Sequence, residues 1–87
     1  MTYTATFKVM GKQYSSQGKT KEECLENLNV PHNFARGVGI LSLSKKENDK
    51  ELTEERVLPQ VLAQRIFSQS PNVRKVHLKQ VGLRFSL

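Results

Sequence analysis

Residues 2–9 read Thr2-Tyr3-Thr4-Ala5-Thr6-Phe7-Lys8-Val9, and the way this stretch alternates sets the fold class. Tyr3, Ala5, Phe7 and Val9 fall on one side of an extended chain. Thr2, Thr4, Thr6 and Lys8 fall on the other. A period of two in β-branched and aromatic residue types is the pattern of a half-buried strand. Gly11-Lys12 and then Gln13-Tyr14-Ser15-Ser16 follow. They predict a β-hairpin in which Gly11 supplies the positive φ of a tight turn, with Gly18 ending the second arm.

Outward from the hairpin, Thr20 to Asn29 predicts a helix. Thr20 with Glu23 matches a capping box, Glu22 and Glu23 suit the positive end of the helix dipole, and Cys24, Leu25 and Leu28 form its apolar stripe. Val30-Pro31 stops it, because a residue before proline is pushed out of helical geometry. His32 to Gly39 reads as loop, and Val38 to Ser44 as strand. The crowding of Val38, Ile40 and Leu41 implies cover on both faces at that end. Lys45 to Glu51 is a charged turn centred on Asn48-Asp49.

Residues 50–57 allow two readings. They return as a strand, with Pro59 opening the next helix, or Thr53 caps a helix that would carry Pro59 in its interior at a cost of about 3 kcal/mol. The spacing of Arg56, Gln60, Gln64 and Ser68 favours the second and the proline favours the first. Under both, Gln60 to Phe67 is helical, with Val61, Leu62, Ile66 and Phe67 inward. Val73 to Leu87 predicts a last strand. Its apolar parity changes after Gln80, which calls for a bulge near Gln80 to Gly82.

The expected architecture is α+β over one domain, residues 1–87. A small antiparallel or mixed sheet, made of the N-terminal hairpin plus two or three further strands, carries two helices on one face. The order is ferredoxin-like if residues 50–57 are a strand.

The 87 residues suit one domain. Hydrophobic residues are 37% and charged residues 25%, a polar but foldable balance. Residues 1–10 lack the apolar run of a signal peptide, and no stretch reaches the roughly 18 apolar residues of a membrane span. Cys24 is the single cysteine, so an internal disulfide is excluded and a reduced compartment is expected: the cytoplasm, or a virus particle assembled there.

Catalytic constellations are missing from the sequence. His32, His77 and Cys24 are scattered, where zinc asks for three or four ligands, so no metal or cofactor is expected. Cys24 lies on an apolar helix stripe, where thiols are inert. No G-x-S-x-G occurs. Gly37-Val38-Gly39 precedes a strand instead of opening a helix, so it is no dinucleotide fingerprint. Gln17-Gly18-Lys19-Thr20 lacks the upstream glycine of a P-loop. The expectation is a non-enzymatic binding module without a small-molecule substrate.

Charge supplies the functional signal. The chain has 14 Lys and Arg against 8 Asp and Glu, a net charge of +6, which favours anionic partners. Lys75 and Lys79 share one parity of the last strand, and Arg84 follows beyond the suspected bulge. With Lys8, Lys12, Lys19 and Lys21 they form the candidate set for nucleic acid phosphates, read without strong sequence preference. Stacking aromatics of an RNA-recognition motif are missing from the expected wet face. A second reading is a structural, assembly or inhibitor protein that meets a protein partner or itself through Phe34, Arg36 and Phe85. Compactness, basic charge and a lone cysteine resemble small accessory proteins of bacteriophages, a likeness of composition alone.

Overall fold

The computed structural model describes residues 1–31, 38–68, 70, 73–74 and 85–87. The alternating stretch forms β1 (Thr2–Val9), paired antiparallel to β2 (Lys12–Gly18). Met10 and Gly11 join them with φ of 50° and 75°, two left-handed residues whose twist matches that of the strands. The helix α1 (Lys21–Asn27) follows. The Thr20 half of its capping box is present, Oγ1 accepting from Glu23 N at 3.1 Å, whereas Glu23 Oε2 accepts at 3.4 Å from Lys19 N, one residue before the N-cap. The helix ends at Leu28, which is already extended at φ −69° and ψ 112°, ahead of the stop expected at Val30-Pro31.

A second hairpin, β3 (Gly39–Glu47) and β4 (Lys50–Leu58), turns at Asn48 and Asp49 with φ of 49° and 61°. Asn and Asp tolerate that region best among non-glycine residues. The fork at residues 50–57 thus resolves to strand. Leu58, fully buried, ends β4. Pro59 is the N-cap of α2 (Gln60–Phe67), where its missing N–H costs nothing. The helical spacing of Arg56 with Gln60 was misleading, since Arg56 lies on β4 opposite Leu41.

The four strands of the described residues lie in the order β2-β1-β3-β4, antiparallel throughout. Among the described residues the element order is ββαββα, and β1, which precedes α1, sits between β2 and β3. That arrangement differs from the ferredoxin-like order. Both helices pack on the face presented by Tyr3, Ala5, Phe7, Val9, Leu41 and Leu43, forming a two-layer α+β fold. The rings of Phe7 and Phe67 meet at 4.8 Å between centroids. Within α2 the inward residues are Ala63, Ile66 and Phe67, while Val61 is 69% exposed. The expected helical stripe was therefore rotated by small Ala63, which the helix sets against the sheet where the bulkier Val61 was expected. Cover on both faces near Val38 is not seen among the described residues: Val38 is 62% exposed and Ile40 is half-buried beside Lys8 and Val57.

The expected strand over residues 73–87 starts differently. Val73 and Arg74 form a helical turn, their amides both donating to Ser70 O at 3.0 Å. Residues 75–84, with the suspected bulge, lie outside the described residues. Phe85, Ser86 and Leu87 then pack over the helix side of β4. Glu54 fixes them: Oε1 accepts from Ser86 N, Ser86 Oγ and Leu87 N at 2.7–2.9 Å, and Oε2 pairs with Arg56 Nη2 at 2.8 Å. The Arg56 guanidinium stacks 5.2 Å from the Phe85 ring centre.

Desolvation raises the pKa of Glu54, but the bonds from Ser86, Arg56 and Leu87 outweigh it and hold the carboxyl below its ordinary value. A folded pKa below the unfolded one stabilises fully above the unfolded carboxylate range and is lost as pH falls through the folded value. Urea unfolding of the wild type and of Glu54→Gln should therefore show a stability gap near neutral pH that narrows as pH falls below the ordinary carboxylate range. A gap that stayed constant with pH would assign Glu54 a packing role only.

Candidate nucleic-acid interface

Alternation places the second set of side chains on the sheet face opposite both helices. Strand register then fixes the neighbours: Lys8 stands between Gln13 and Ile40, Thr6 between Ser15 and Ser42, and Thr4 between Gln17 and Ser44, while Thr2 stands beside Lys46. On β4 the same face carries Glu51, Thr53, Glu55 and Val57. Ser44 and Thr53 join across strands through their hydroxyls at 2.9 Å. Neither helix covers this face, and no described residue lies over it.

The chemistry of the face is uneven. Across β2, β1 and β3 it holds hydroxyls, carboxamides, Ile40 and the two cations Lys8 and Lys46, with no carboxylate. The acids of the face, Glu51 and Glu55, are confined to β4. Lys8 and Lys46 stand about 20 Å apart along the strands, at about 3.4 Å per residue. Aromatic side chains are missing from the face: Tyr3, Phe7 and Tyr14 all point toward the helices, where Tyr14 packs on the core.

Beside the first turn, Lys8, Lys12, Gln13, Met10, Val38 and Ile40 line a shallow open groove of about 280 Å³. Lys8 and Lys12, both exposed, thus stand at one place. Lys19 and Lys21 are at the other end of the hairpin, beyond the Tyr3–Gly18 pair. Lys21 is half-buried and donates through Nζ to Phe85 O at 3.0 Å. A phosphate cradle at the start of α1 is also unsupported: the Glu23 amide is spent on Thr20 and the Cys24 amide on Thr20 O. Phe85, 8% exposed, belongs to the core. Lys75, Lys79, Arg84, Phe34, Arg36, His32 and His77 lie outside the described residues.

Lys46 was not among the expected cations. The strand had been expected to end at Ser44, although Ile40, Ser42, Ser44 and Lys46 share one parity.

The groups that metal or thiol chemistry would use are placed as follows among the described residues. Among the described residues no three of His, Cys, Asp and Glu come together as a metal site. Cys24 is fully buried, donates to Lys21 O at 3.2 Å, and has its pKa pushed up to about 11, by burial first and by Glu22 and Glu23 after it. Ellman's reagent at pH 8 should leave the folded chain unlabelled and react once urea unfolds it. Prompt labelling of the folded chain would restore Cys24 as a nucleophile. Among the described residues no helix is long and apolar enough to cross a membrane.

No protein-family model, curated protein or solved structure matches this chain. Its functional reading rests on the geometry above.

Proposed function

We propose that this chain is a non-enzymatic binding module that holds nucleic acid by its phosphates on the sheet face opposite the two helices. The observation that carries the reading is the carboxylate-free surface across β2, β1 and β3, on a chain of net charge +6. Lysines and hydroxyls are the groups that contact phosphate and carry no base information. A face without aromatic side chains offers bases no stacking platform. Affinity with little sequence preference follows from that pair of features. The buried free thiol fits work in a reducing compartment.

Amide chemical shifts recorded while a short oligothymidylate is added at low salt locate the contact. Shifts at Thr4, Thr6, Lys8, Ser42 and Ser44, with Ala63 and Ile66 unmoved, support the reading. The Lys8→Glu/Lys46→Glu chain should lose most of the affinity. Shifts confined to the helix side would overturn it.

A second reading draws on the groove end. Met10, Val38 and Val57 are 61–66% exposed there, and clustered apolar exposure marks protein docking. On that reading the chain is a structural, assembly or inhibitor component, as in bacteriophage particles. Its complex with a protein partner would survive high salt.

A further inference from the structure

We propose that two copies of this chain join edge to edge through β2, making one continuous eight-stranded antiparallel sheet with Ser15 on the two-fold axis. The inference concerns the free protein and stands whether or not the sheet face binds nucleic acid.

The backbone geometry gives the first argument. The hairpin closes on the Val9–Lys12 pair around a two-residue turn. Such a closing pair exchanges both backbone bonds, and bonded pairs then alternate along the ladder. Tyr14, Ser16 and Gly18 therefore bond back to β1, while Gln13, Ser15 and Gln17 turn their amides and carbonyls outward. The Gln17 carbonyl shows that direction: Asn27 Nδ2, outside the sheet, donates to it at 3.4 Å. No hydrogen bond to the outward groups of Gln13 or Ser15 is seen among the described residues.

The second argument is the lack of protection. Edges are commonly guarded by lysine, proline, a bulge or an inward charge. From Gln13 to Gly18 the strand has none of these, its pairing with β1 runs without interruption, and its guards among the described residues are Lys12 at one end and the Asn27 carboxamide on one lone pair of the Gln17 carbonyl at the other.

The third argument chooses a second copy as the occupant. A two-fold axis normal to the sheet sets residues of the same face opposite each other, and the outward groups must meet outward groups. Centring on Ser15 satisfies both. Ser15 then faces Ser15, Gln13 faces Gln17, and Tyr14 faces Ser16, with no like charges opposed in the strand. Carboxamides of Gln13 and Gln17 meet as donor and acceptor. The other edge strand, β4, fails the same test. Every symmetric register long enough to match the seven residues of β2 opposes like charges. Centred on Thr53 it sets Glu51 against Glu55 and Lys50 against Arg56. Centred on Glu54 or Glu55 it sets that carboxylate against itself. In the joined sheet the carboxylate-free faces of both copies become one surface. Lys12 of each copy approaches Lys19 of the other at the ends of the interface, so association should strengthen with salt.

A Ser15→Cys chain tests the register. Directly opposed bonded residues lie about 5.5 Å apart at Cα, within disulfide reach, and buried Cys24 does not compete. Mild oxidation should convert Ser15→Cys to a covalent dimer, and leave Gln13→Cys, which faces Gln17, largely uncrosslinked. Sedimentation of the unmodified chain should give twice the 9.9 kDa chain mass at high concentration, and Ser15→Lys should sediment as a monomer with an unchanged circular dichroism spectrum. A wild-type chain that stays monomeric at every concentration and salt would overturn the proposal. So would equal crosslinking of Ser15→Cys and Gln13→Cys, or a dimer that Ser15→Lys leaves intact.

Discussion

Arg74→Ala should cost about 2–4 kcal/mol of folding stability, out of about 4–13 kcal/mol for a domain of this length. Arg74 is 5% exposed, and its Nη1 donates to the carbonyls of Leu25, Glu26 and Leu28 at 3.0, 3.3 and 2.6 Å. Those carbonyls end α1, where the helix leaves its last acceptors without internal partners. No basic residue of α1 itself serves them. The guanidinium also stacks 5.4 Å from the Phe67 ring centre, so one side chain ties α1 to α2. Burial lowers its pKa, against the opposing effect of Glu26. Alanine would strand three carbonyls and open a void beside Phe67. Methionine would fill the void and leave the carbonyls stranded. Urea unfolding should therefore rank wild type above Arg74→Met above Arg74→Ala, with little change in the denaturant slope. An Arg74→Ala chain within about 0.5 kcal/mol of wild type, the range of an ordinary surface substitution, would refute the role.

Phe7→Ala should cost about 3–5 kcal/mol. Phe7 is fully buried on a central strand, against Phe67 on one side and the backbone of Gly39 on the other. A Cβ at Gly39 would clash with the edge of the Phe7 ring, so a side chain there forces the ring or the start of β3 to shift. Gly39→Ala alone should cost about 1–3 kcal/mol through overpacking. In a Phe7→Leu background, where the ring is gone, it should cost clearly less. The two positions touch, so their effects should not add. Additive losses in a double-mutant cycle of unfolding free energies would contradict that packing.

Local signals carried most of this fold. The alternation of residues 2–9 placed β1 in its observed register, and the Thr20–Glu23 pair marked the start of α1. Pro59 rather than the Arg56–Gln60 spacing decided the fork, because a lost amide in a helix interior outweighs a polar stripe. Arg74 was not legible as a core residue. Its acceptors are backbone carbonyls that any sequence would supply, from 46 to 49 positions away. Glu54 was hidden for the same reason, since it read as solvated charge while its partners Ser86 and Leu87 lie 32 and 33 positions on. Of the candidate site, Lys8 and Lys12 were visible from the hairpin alone. The confinement of acids to β4 needed the strand order, which no periodicity reveals.

The most direct measurement for the central reading is fluorescence anisotropy of labelled single-stranded DNA across a salt series. Affinity should fall along a straight log–log line, with a slope of about −0.7 per phosphate neutralised on single strands. Replacing Lys8 and Lys46 by alanine should reduce the steepness by about 0.7 for each lysine. No binding at low salt, or a slope indifferent to both lysines, would contradict the assignment of this sheet face to nucleic acid.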